Sequence, residues 1–173
     1  MYITIGGTLP INIIVVYMPT AVHQSDEKDK CYNTLQDTYN KLKNKGPTYI
    51  IGDLNARMIY PNNDTEEEIM GKYTMYENKE QMEKLTEGML ENRELLAQLT
   101  TANDMELINT MYKKSITKLA TYRIDKSTNK QYCNITNKTH AQIDYILVEE
   151  RWRNTLTNAE THIIANIHSD STH

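Results

Sequence analysis

Gly52-Asp53-Leu54-Asn55 places a carboxylate and a carboxamide two residues apart at the end of the apolar run Thr48 to Ile51. With an extended backbone, alternate side chains leave on one face, so Asp53 and Asn55 would offer an anion and a neutral hydrogen-bonding group to one small volume. The same tetrapeptide is equally good chemistry for an Asx turn that merely closes a strand. Two more residues carry a double reading. Tyr17 ends the run Ile11 to Val16 and precedes Met18-Pro19, so its phenol either emerges at a strand end as a donor or packs as an amphipathic cap. Asp144 lies within Ile143-Asp144-Tyr145-Ile146-Leu147, where a carboxylate is costly unless paired, either with a catalytic group or with backbone amides.

Strands are needed to deliver these groups. Tyr2 to Ile5 and Ile11 to Tyr17 are apolar and rich in β-branched residues, with Gly6-Gly7 and Pro10 between them, which predicts a hairpin feeding a buried strand. Ser25 is a candidate cap for a helix through about Lys43. In that stretch Cys31, Leu35, Tyr39 and Leu42 recur at helical spacing, and Asp26, Glu27 and Asp29 favour the N-terminus. Gly46-Pro47 stops the helix, and Thr48 to Ile51 makes a strand whose carboxyl end, the usual ligand end of an open α/β sheet, carries Asp53 and Asn55. Residues 60–80 show no sustained apolar period and read as a long solvated loop. From Glu91, Leu95, Leu96, Leu99 and Ala102 fit a helix, and Met105 to Ile108 an extended segment. Further strands are expected at Leu119 to Arg123, Gln142 to Val148 and Thr161 to Ala165, with a short helix near Glu150 to Thr155 that should bury Trp152. There is no repeat and no Gly/Ser linker, so residues 1–173 read as one α/β domain.

Bulk properties exclude several classes. With 173 residues, 39% hydrophobic, the chain can bury a core, and a net charge of -4 argues against a free-standing basic nucleic-acid binder. Any contact with DNA must be local or metal-mediated. Cys31 and Cys133 have no CxxC partner, which suggests neither a disulfide framework nor a zinc site and fits a reducing compartment. No apolar run is long enough to span a bilayer, and the first residues lack the pattern of a signal peptide, so the reading is soluble and intracellular. Asn63, Asn134 and Asn137 head Asn-x-Thr sequons, which an Asn- and Thr-rich composition produces by chance.

Taken in order, VYMPT at Val16 to Thr20, the segment Tyr49-Ile50-Ile51-Gly52-Asp53-Leu54-Asn55-Ala56, QIDYILV at Gln142 to Val148 and the terminal HSDSTH at His168 to His173 resemble the endonuclease/exonuclease/phosphatase superfamily. ENRELLAQLTTANDMELINTMY, followed by ATYR, resembles its non-LTR retrotransposon branch of AP-endonuclease-like domains. The resemblance implies a four-layer α/β sandwich, two mixed sheets with outer helices. It also implies hydrolysis of phosphodiesters in DNA with Mg²⁺, or Mn²⁺ in its place. In such a site Asp53 helps activate water, Asn55 positions the water or the scissile phosphate, and Tyr17 donates to the phosphate. Asp144 would orient the histidine of a Ser-Asp-His motif, and Asp170 would belong to the metal site. A DNA substrate would place the protein in the nucleus at some stage.

This chain departs from the family pattern at position 171, which is Ser where the family has its His; the nearest imidazoles are His168 and His173. His173 is the candidate replacement if the tail is displaced by two residues. The family's Asn and metal-binding Glu from the first half of the domain, and its final strand, have no counterpart, so the chain reads as the later part of such a domain. Glu66 to Glu68 falls in the expected loop and does not substitute. The expectation is a retroelement-derived endonuclease with much reduced activity. The alternatives are a non-catalytic remnant serving as an interaction module, and a phosphoesterase with another substrate, which the retroelement-like helix disfavours.

Overall fold

The structure is a computed structural model that describes residues 1–61, 63–75, 79–123, 135–136 and 139–161. The expected hairpin forms from β1 (Tyr2–Ile5) and β2 (Ile11–Tyr17), antiparallel, with Ile3 opposite Ile13 and Ile5 opposite Ile11. Helix α1 (Ser25–Leu42) then carries the chain over to β3 (Thr48–Asp53), which lies parallel to β2. A parallel neighbour requires such a crossover. Gln24, not Ser25, occupies the cap position of α1, and Ser25 is its first helical residue.

Within residues 60–80, read from sequence as loop, Asp64–Ile69 forms a short helix, α2, capped by the Asn63 side chain accepting from the Glu66 amide at 2.9 Å. Its anchor is not local: Glu66 pairs with Arg93 of α3 (Glu87–Ala102), Nε to Oε1 at 2.7 Å and Nη2 to Oε2 at 2.6 Å, with both side chains buried. Strand β4 (Met105–Leu107) follows α3. β5 (Tyr122–Arg123) and β6 (His140–Ala141) make a separate two-stranded antiparallel sheet, much shorter at β5 than the Leu119 to Arg123 strand expected. β7 (Asp144–Glu149) inserts between β3 and β4, antiparallel to both, and completes a mixed five-stranded sheet in the order β1-β2-β3-β7-β4. The architecture is α/β, a mixed sheet with helices and a second small sheet, in keeping with a partial α/β sandwich. Of the strand expected at Thr161 to Ala165, all but Thr161 lies outside the described residues.

One face of the large sheet holds the main core, where Ile14, Ile50, Tyr145, Leu147 and Leu107 meet Tyr32, Leu35 and Tyr39 of α1 and Leu96 and Leu99 of α3. The opposite face is uneven. Over β3 and β7, Tyr49 and Val148 pack with Ile108, Tyr112, Trp152, Leu156 and Ala159. Trp152 is partly buried there, in the 3-10 turn Glu150–Thr155, as its charged neighbours suggested. Over β1 and β2, Ile3, Ile5, Ile11 and Val15 are exposed, so β2 alternates between core and open surface and is not the buried strand expected.

Candidate functional site

Gly52 makes the strand ends converge. Its φ is 141°, a region that favours glycine, and a Cβ there would lie 2.1 Å from the Val16 carbonyl oxygen. With β2 and β3 this close, Tyr17 pairs in register with Asp53, and across β3 Asp53 pairs with Asp144, the first residue of β7. Register partners on neighbouring strands project to the same face. Tyr17, Asp53 and Asp144 therefore form one row across three adjacent strands, on the face opposite the α1–α3 core. Tyr17 is 76% exposed and ends the row on the solvent side.

Asn55 does not continue an extended chain. Its φ is 48°, in the left-handed region that Asn tolerates better than most residues, and its amide donates to Asp53 Oδ1 at 2.8 Å. The Asx turn anticipated as the alternative thus forms. Asn55 remains at the row nonetheless, because its Nδ2 donates to the Met18 carbonyl at 2.7 Å, while the Met18 amide donates to the Asp53 carbonyl at 2.8 Å. The Leu54 amide donates to Ile143 O at 2.9 Å, binding the turn to the entry of β7.

Thr121, which sequence reasoning did not single out, supports the other carboxylate. Its Oγ1 accepts from the amides of Ile143 at 2.9 Å and Asp144 at 3.2 Å, and its hydroxyl also bonds the Asp144 carboxyl. The only sequence signal was its place in the ATYR segment. Burial pushes the Asp53 carboxyl up to about 6; the Asn55 N–H acts against that rise, and the Asp144 charge adds to it. Burial also raises Asp144, opposed by Thr121. Two half-buried carboxyls side by side, one titrating near neutrality, form a site able to accept a proton from water or to gain from a nearby cation.

Among the described residues, no three His, Cys, Asp or Glu side chains cluster closely enough to hold a metal by themselves. His168, Asp170, Ser171 and His173, and with them the histidine and metal-ligand expectations, lie outside the described residues. No helix among the described residues is long and apolar enough to cross a membrane.

No family model and no curated protein matches the chain. Among solved structures it is similar to an endonuclease/exonuclease/phosphatase family protein from Leptotrichia buccalis, at 16% identity and a TM-score of 0.48, over 86% of this chain and 41% of that one. It is similar also to the 3′ phosphatase NExo from Neisseria, a structure bound to a product DNA hairpin, at 15% identity and a TM-score of 0.47, over 88% of this chain and 58% of that one. The chain spans less than two thirds of the length of either.

Proposed function

We propose that this chain carries part of the site of a divalent-metal-dependent phosphodiesterase that nicks DNA, of the retroelement endonuclease kind its motifs resemble. The row Tyr17, Asp53, Asp144 is the observation that supports this reading most, because unrelated strand-end polar residues have no physical reason to share a register. In the reaction, a water attacks phosphorus, its proton passes to the Asp53 carboxylate, and the phosphorus–oxygen bond to the leaving strand breaks. A carboxyl poised near 6 is well matched to that task at neutral pH. Asn55 has committed its Nδ2 to Met18, so its Oδ1 orients the water, and the exposed Tyr17 phenol donates to a phosphate oxygen.

A Mg²⁺ or Mn²⁺ ion fits the donor set. Mg²⁺ takes one or two carboxylates and keeps several waters, and the half-buried carboxyls Asp53 and Asp144, side by side, favour a cation nearby. Asp170 would hold it together with the substrate phosphate, and it would stabilise charge building on that phosphate, leaving Asp53 to accept the proton. Asp144, braced by Thr121, would orient whichever imidazole of the tail serves the site.

Ser171 favours a second reading, a non-catalytic remnant retained as an interaction module. A plasmid-nicking assay on the purified chain in Mg²⁺ or Mn²⁺ separates the two. Slow nicking that disappears in Asp53→Ala supports the hydrolase, whereas a folded chain that leaves supercoiled plasmid intact in both metals supports the remnant.

A further inference from the structure

We propose that Asn92 of α3 is a positioning residue whose carboxamide ties the loop after Tyr17 to the loop after Asp53, fixing the spacing of the two strand ends. This rests on the hydrolase reading for its purpose, though not for its geometry. Asn92 is 1% exposed, and its Nδ2 donates to Pro19 O and to Asn55 O, both at 3.0 Å. Each proton of the amide thus goes to one carbonyl from each loop. The opposite rotamer would set Oδ1 against two carbonyl oxygens, so the donor assignment follows from the partners.

The oxygen of the same carboxamide is left without a partner: Asn92 Oδ1 is buried with no hydrogen-bond partner among the described residues. An unpaired buried acceptor is destabilising, because it has given up its water and gained nothing in return. A leucine, like Leu96 one turn on, would fill the helix–sheet boundary without that cost. What an apolar residue would lose is the link between the loops.

The surrounding contacts make α3 a firm base for such a link. A Cβ on Gly88 would lie 2.0 Å from the Ala21 carbonyl oxygen, so the first turn of α3 meets the loop after β2 backbone to backbone. The buried Lys28 of α1 donates to the carbonyls of both Ala21 and Gly88 and pairs with Glu91. Asn92, one turn further along, reaches past that loop to the Asx turn. Released from it, Asn55 would keep only its own bonds to Met18 and Asp53.

Amide hydrogen exchange on the full chain tests this, with Leu96→Ala as the comparison because Leu96 is fully buried on the same helix. In Asn92→Ala, the amides of Met18, Leu54 and Asn55 should exchange at least about tenfold faster than the loss of global stability explains, the worth of one to two hydrogen bonds. Leu96→Ala should raise exchange only in step with global stability. Asn92→Ser supplies the same reading if the alanine variant does not fold. Exchange that rises uniformly in the Asn92 variants, or not at all at these three amides, overturns the proposal. Where wild type nicks DNA in an Asp53-dependent way, kcat should fall in Asn92→Ala with KM little changed. A wild type that fails to nick removes the hydrolase reading, while the exchange pattern still decides the link.

Discussion

Asp53 and Asp144 face one another in register across antiparallel β3 and β7, and the charge of one helps raise the carboxyl of the other. A carboxyl raised in the folded state holds a proton that the unfolded chain has already released. Its contribution therefore favours the fold at low pH and is lost as pH rises from the ordinary aspartate range through about 6. Asp53→Asn removes that loss. In chelator at pH 7 it should stabilise the chain by about 1 kcal/mol, allowing for solvent screening of a half-buried group, or ~2–4 °C in the unfolding midpoint. Near pH 4 the two midpoints should coincide. Equal midpoints at both pH values would show that Asp53 is not raised.

The same carboxyl sets the expected rate profile. With Asp53 as proton acceptor, kcat/KM for nicking should rise with pH through about 6 in wild type. A flat profile between pH 5 and 7, at roughly constant binding, would remove Asp53 from that role.

Tyr17→Phe isolates the phenol. Because the side chain is 76% exposed, the unfolding midpoint should not move. The loss of one donor to a charged oxygen should lower kcat by about 10²-fold. Unchanged turnover would return Tyr17 to a packing role.

Glu66→Ala should be among the most damaging single changes away from the site. It leaves Arg93 buried without its bidentate partner, although Arg93 keeps bonds to the carbonyls of Arg57 and Tyr60. Breaking one side of a buried pair costs about 3–5 kcal/mol, readable in urea unfolding. A loss below about 1 kcal/mol would mean that the pair is solvated.

Gly52→Ala should be costly for a different reason, since the residue has a φ of 141° and its Cβ would strike Val16 O. A loss of at least about 2 kcal/mol is expected, with β2 and β3 forced apart. Circular dichroism with thermal melting would detect it.

What the sequence made legible follows the reach of the forces involved. α1 and β3 were readable because helical spacing and a β-branched run terminated by Gly-Asp are local signals. α2 was not, since Asp64-Thr65-Glu66-Glu67-Glu68 lacks an apolar stripe and is held by Arg93 from another helix. Tyr17, Asp53 and Asp144 were named from the sequence and the fold brings them together, but Asn55 was expected on an extended chain and instead takes a left-handed turn. Thr121 and Asn92 went unnamed because their partners belong to distant segments. No local pattern encodes such bonds.

The in-register row also makes the site a gauge of pairing fidelity. Its three members come from three chain segments, so no isolated hairpin contains it, and it exists only once β2, β3 and β7 are all paired. A slip of β7 by a single residue would turn every β7 side chain to the other face, carrying Asp144 toward the helices and presenting Tyr145 beside Asp53. Such a misregistered sheet could keep most of its backbone hydrogen bonds and its helical content while losing the carboxylate pair. Chemistry at Asp53 would report errors of strand alignment to which bulk spectroscopy is blind.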